Sequence, residues 1–96
     1  MVQVVENWAW VEGTITRVVP SQRAADWLDL VFENPVVSDV EGYPNLVAAA
    51  PLPLHVRCPS STVAQAGLAA GRTTRLRVRL GGPGDLLAGP IESGTG

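Results

Sequence analysis

Arg75, Arg77 and Arg79 occupy alternate positions in the stretch Thr73–Leu80, TTRLRVRL. In an extended chain, alternate residues leave the same face about 6–7 Å apart. Phosphates along an extended single strand of nucleic acid have a comparable spacing. A guanidinium grips phosphate through two donors and also stacks on bases. Arg57 and Arg17 extend this basic set if the fold brings their strands alongside. Three tryptophans supply the complementary chemistry. Trp27 alternates with Asp29, and Trp8 and Trp10 alternate with Glu12 and Thr14. An exposed tryptophan on a strand is a stacking platform worth ~1–3 kcal/mol per base. It is equally an anchor for a protein partner. Plainer roles stay open for the same residues. The arginines also suit a solvated strand face. Trp8 and Trp10 also suit an end of a barrel that they cover, or a core that a shift at Gly13 turns them into.

Catalytic chemistry finds little material. His55 is the sole histidine and Cys58 the sole cysteine. Three residues apart on one strand, they face opposite ways and form no nucleophile–base pair. Asp26, Asp29 and Glu33 have no histidine or recognisable loop beside them, so a solvated face explains them better than a metal or an acid–base pair. Gly81–Gly84 lacks the helix and lysine of a phosphate cradle and reads as a hairpin turn. A lone cysteine excludes an internal disulfide and a cysteine-based zinc site, and is expected as a half-buried thiol. The expectation is a non-catalytic protein with no metal and no cofactor.

The elements that must position these groups follow from alternation. A first strand runs from Trp8 to Val19, with Ala9, Val11 and Ile15 on one face and a bulge or sharp coil at Gly13. A second covers Trp27 to Phe32. Leu28, Leu30 and Phe32 face in; Trp27, Asp29, Val31 and Glu33 face out. Asn34 to Asn45 (NPVVSDVEGYPN) is rich in turn formers and reads as a loop. A third strand spans roughly Leu46 to Cys58, with Leu52, Leu54, Val56 and Cys58 on the inner face and an irregular start at Pro51 and Pro53. A short helix follows, Thr62 to Ala70, with Gly71 in the left-handed position. The fourth strand, Thr73 to Leu80, turns Leu76, Val78 and Leu80 inward. A fifth runs from Asp85 to Ile91. The predicted fold is all-β: a small five-stranded OB-like barrel with one short helix between strands 3 and 4, because closure hides a face that an open sheet would expose. One domain over residues 1–96 is expected, with frayed ends at about 1–6 and 92–96.

Composition narrows the class further. With 46% hydrophobic and 17% charged residues, the 96-residue chain has the makeup of a folded globule rather than a disordered tail. No apolar run is long enough to span a membrane, and the amino terminus lacks the pattern of a secretory signal. A cytoplasmic location is the expectation. All seven basic residues are arginine, which a GC-rich bacterial genome explains. Residues 1–54 hold seven acids and two arginines, whereas residues 55–96 hold five arginines and two acids. Such asymmetry produces one acidic and one basic face, or serves self-association.

The order of elements is that of the OB-fold. Leu52 to Ala88, with Leu68-Ala69-Ala70-Gly71 ahead of RTTRLRVRL, resembles the second half of bacterial single-stranded-DNA-binding proteins and their primosomal relatives. Val11-Glu12-Gly13-Thr14-Ile15 is similar to the usual opening of their first strand. The resemblance implies binding of single-stranded nucleic acid, with Trp27, Trp8 and Trp10 stacking on bases and Arg57, Arg75, Arg77 and Arg79 holding phosphates. The chain departs from that family in Asp26 to Glu41, which carries five acids and no arginine where the family is usually basic and aromatic. The family's acidic carboxy-terminal tail has no counterpart in Ile91–Gly96. The alternative is a protein-interaction or oligomerisation barrel, a homo-oligomer or a subunit of a larger assembly, with Trp8 and Trp10 as interface anchors.

Overall fold

A computed structural model describes residues 6–22, 24–82 and 84–89. The elements are β1 (Ala9–Pro20), β2 (Trp27–Phe32), β3 (Val36–Asp39), β4 (Leu54–Pro59), α1 (Ser60–Ala66), β5 (Thr73–Gly82) and β6 (Asp85–Ala88). Strand order is β2-β4-β6-β5-β1, and pairing of β1 back onto β2 closes the barrel. All neighbours are antiparallel except β4 and β6. This is the predicted small, OB-like five-stranded barrel, with one additional strand, β3.

β1 closes the barrel by serving different neighbours with its two halves. Ala9–Thr14 pair with β5, and Ile15–Pro20 pair with β2. The strand must coil between them. A Cβ on Gly13 would lie 3.2 Å from the Pro35 Cα, so glycine permits that close approach. The irregularity in pairing falls between Ile15 and Arg17, one turn of the pleat beyond Gly13. The Thr16 hydroxyl there donates to the Val31 carbonyl at 3.0 Å. The faces of β1 are therefore not exchanged before Ile15, and Trp8 and Trp10 stay outside the core.

β3 lies within the stretch predicted as a loop. Beyond the break at Glu33–Pro35 it continues the path of β2 along β1, pairing Val36 with Glu12 and Asp39 with Ala9. Four residues among turn formers leave too short an alternation to betray a strand. The third predicted strand is shorter than expected, because Leu46–Pro53 is irregular and β4 begins only at Leu54. Leu52 is accordingly 58% exposed rather than inward. Val47 from this irregular stretch is buried instead, held by the Asn45 side chain, which accepts from the Val47 and Ala48 amides.

Inside the barrel, Ala9, Val11, Ile15, Leu30, Phe32, Leu54, Val56, Cys58, Leu76, Val78 and Leu86 form one cluster, closed by Val47, Val63 and Leu68. Val31, on the outer face of β2, is also buried. The helix is shorter than predicted and ends at Gly67, whose φ of 66° gives the left-handed cap. Gly71, also left-handed, forms part of the turn into β5 and donates its amide to the Ile15 carbonyl. The predicted fifth strand ends at Ala88 among the described residues; Ile91 and the predicted frayed ends at 1–5 and 92–96 lie outside them.

Candidate functional site

β1 and β5 run side by side with Ala9 opposite Val78, Trp10 opposite Arg77 and Glu12 opposite Arg75. Paired residues of an antiparallel ladder share a face. Inward go Leu76 and Val78; outward go the arginines. Each guanidinium leans diagonally across the ladder onto a ring. Arg75 lies 4.1 Å from the Trp10 centroid and Arg77 lies 4.8 Å from the Trp8 centroid. The result is an interleaved series on the outer wall: Trp8, Arg77, Trp10, Arg75. Both rings are half-buried, so each keeps surface for a partner. Arg79 is exposed and makes no ion pair or ring contact among the described residues.

Two glycines shape the floor beneath this series. A Cβ on Gly89 would lie 2.6 Å from Trp8 Cζ3, so the indole rests against bare backbone. A Cβ on Gly81 would lie 2.9 Å from Leu87 Cδ1, so Leu87 lies flat in the same way. The start of the ladder is tied down by Asn7, which is buried. Its side chain accepts from the Leu80 amide at 2.8 Å and donates to the Leu80 carbonyl at 3.0 Å. A side chain thus continues the ladder two positions beyond Ala9 and Val78.

Arg79 pairs with Leu87, and Leu87 pairs with Arg57 on the far side of β6. Arg57 in turn pairs with Asp29 of β2. One row therefore crosses four strands: Arg79, Leu87, Arg57, Asp29. Trp27 stands at its end, its centroid 5.6 Å from the Arg57 guanidinium. The predicted residues divide accordingly. Trp8, Trp10, Arg75, Arg77 and Arg79 come together on β1 and β5; Trp27 and Arg57 form a separate pair two strands away. Arg57 is not a free cation, because it forms an ion pair with Asp85 at 2.9 Å. Asp85, Asn7 and the glycine floors gave no signal in the sequence, since each acts only through the register of distant strands.

Glu12 is exposed on the same outer face, directly across the ladder from Arg75, whereas other acids lie apart from the β5 stripe. Glu33, Asp39 and Glu41 are exposed on and around β3, which flanks β1 on the side away from β5. The outer face of β2 and β4 is mixed, carrying Asp29 beside Arg57 and His55. A cleft of about 370 Å³ opens there, between the β1–β2 connection and the β5–β6 turn; Pro20, Gln22, Asp29, His55, Arg57 and Asp85 are among the residues that line it. Among the described residues, no group of three or more histidine, cysteine or acidic side chains is placed to hold a metal ion. His55 is exposed and Cys58 is fully buried on the opposite face of β4, deeper than the half-buried thiol expected. Burial pushes the Cys58 thiol up to about 11, which removes it as a nucleophile at neutral pH. No helix among the described residues is long and apolar enough to cross a membrane. Compared with known proteins, the chain matches no family model, no curated sequence and no solved structure.

Proposed function

We propose that this chain binds single-stranded nucleic acid without catalysing a reaction on it, and that the strand lies along the β1–β5 wall. Bases stack on Trp8 and Trp10, while Arg75, Arg77 and Arg79 hold phosphates. The observation that carries this is the interleaving of two half-buried indoles with arginines on one face, with the acids of β3 on the other side of β1. Stacking surface and phosphate-gripping charge then alternate at the pitch of an extended strand. An OB-like barrel, resembling those of single-stranded-DNA-binding and primosomal proteins, suits such a ligand. Arg75, exposed above Trp10, swings to a phosphate and uncovers the ring for a base. Trp27 and Arg57 sit at the far end of the row and extend the path rather than begin it.

Intrinsic tryptophan fluorescence during titration with oligothymidine tests this directly. Saturable quenching at low salt that weakens as salt rises is the expected result. A folded protein whose emission does not change at low salt overturns it. A protein-interaction module is the second reading, favoured by the outer edge of β3, which no strand among the described residues covers, and by Val36 on it, 65% exposed. Light scattering that shows a concentration-dependent mass, together with silent oligonucleotide titrations, would select that reading.

A further inference from the structure

The cleft between the β1–β2 connection and the β5–β6 turn is not used by the β1–β5 ladder. We propose that it takes one base of the bound strand and reads it by its hydrogen-bond donors, guanine ahead of the others, with Asp29 as the acceptor. This rests on the nucleic-acid function proposed above.

Asp29 pairs in register with Arg57, yet Arg57 turns its guanidinium to Asp85 instead. The Asp29 carboxylate is left half-buried in the cleft wall with no hydrogen bond or ion pair among the described residues. An ionised carboxylate only accepts, so its complement is a group rich in donors. Phosphate fits poorly, because among the described residues two carboxylates, Asp29 and Asp85, face one arginine in the cleft. What enters must be the neutral part of a nucleotide. Guanine presents two adjacent N–H groups on its pairing edge and matches both carboxylate oxygens. Thymine presents one N–H between two carbonyls. Adenine and cytosine present an amino group beside a ring acceptor, which the carboxylate repels. The volume, about 370 Å³, lies at the small end of the range for specific ligand clefts, roughly 300–1,000 Å³. Exposed His55 at the rim offers a ring on which the base can stack. Asp29 and Arg79 are three strand spacings apart along the row, about 14 Å, a gap that two nucleotide steps cross over Leu87.

The test compares short oligothymidines that carry a single central guanine, adenine or cytosine with oligothymidine alone, using tryptophan fluorescence. Asp29→Asn and Asp29→Ser are measured beside the parent, and free guanosine serves as competitor on the parent. The guanine oligonucleotide is expected to bind at least about fivefold more tightly than oligothymidine, as a bidentate base contact requires. In both variants that ratio falls to near one, and free guanosine lowers it likewise in the parent. Equal affinity for all four oligonucleotides, with oligothymidine binding intact, overturns the base-reading cleft and leaves the ladder standing. A guanine preference that survives both substitutions overturns the role of Asp29. No binding to any oligonucleotide overturns both proposals together.

Discussion

Arg79→Ala is the most informative single perturbation of the ladder, because Arg79 is exposed and has neither ion pair nor ring contact among the described residues. Four arginines lie on the row and ladder, but Arg57 is neutralised by Asp85 at 2.9 Å. Three cations remain to displace counterions. For single strands each neutralised phosphate contributes about −0.7 to the slope of log affinity against log salt, so the slope should be about −2. Raising salt from about 50 to about 200 mM then weakens binding about twentyfold. Removing Arg79 reduces the slope to about −1.4 and the loss over the same range to about sevenfold. Arg57→Ala leaves the slope near its parental value, since an arginine held by Asp85 contacts no phosphate. The assay is fluorescence titration at a series of salt concentrations. A parental slope near zero with binding intact, or an Arg79→Ala slope indistinguishable from the parent, would refute phosphate contact by the β5 stripe. A slope that Arg57→Ala lowers as much as Arg79→Ala does would show that the Arg57–Asp85 pair opens for the ligand.

Other expectations concern the supports of the wall. Asn7→Ala deletes two hydrogen bonds to Leu80 and strands its amide and carbonyl, a loss of about 2–3 kcal/mol and about 10–20 °C in Tm; a shift of only a few degrees by circular dichroism would contradict the role given to Asn7. Gly89→Ala forces the Trp8 ring off its seat, at a cost of about 1–3 kcal/mol, and should red-shift tryptophan emission; unchanged emission and stability would mean the ring is not held there. For Cys58, burial raises the thiol from its ordinary value of 9.0 to about 11, so the folded state keeps its proton while the unfolded state has released it. That contribution is full below 9.0 and is lost as pH climbs through that window towards about 11, at about 1.4 kcal/mol per pH unit. Urea unfolding across the alkaline range should show the loss in the parent and not in Cys58→Ala, and identical profiles would contradict it.

The inner faces of β2, β4 and β5 were legible because Leu30, Phe32, Leu54, Val56, Leu76 and Val78 recur at every second position, alternating with polar residues everywhere but at Val31. The arginine stripe was legible for the same reason. β3 was not, because Val36–Asp39 lies between Pro35 and Gly42 and is held by β1 rather than by its own propensity. Leu52 misled because alternation was extended back through Pro51 and Pro53, where the backbone is not a strand. Val47 escaped notice as a lone apolar residue whose burial depends on the turn made by Asn45. The stacking of Arg75 on Trp10 and of Arg77 on Trp8 needs the register of two strands far apart in sequence, and no local pattern encodes that. The cleft is less legible still, since its walls come from the end of β1, from β2, from β4 and from the start of β6.

The long reach of β1 also has a consequence in time. The Thr14 and Thr73 hydroxyls meet at 2.9 Å although 59 residues separate them. β1 finds β2 across a short connection, but it cannot complete its other edge until β5 exists. At a synthesis rate of about 5–20 residues per second, that interval lasts about 3–12 s. During it, the half of β1 nearest Trp8 and Trp10 has no permanent neighbour on the β5 side, and the loop that must close is among the longest the chain can offer. Barrel closure is therefore the late step of folding, slow in the manner of sheets built from distant pairings. On the ribosome, the future ligand wall is a waiting edge before it is a surface.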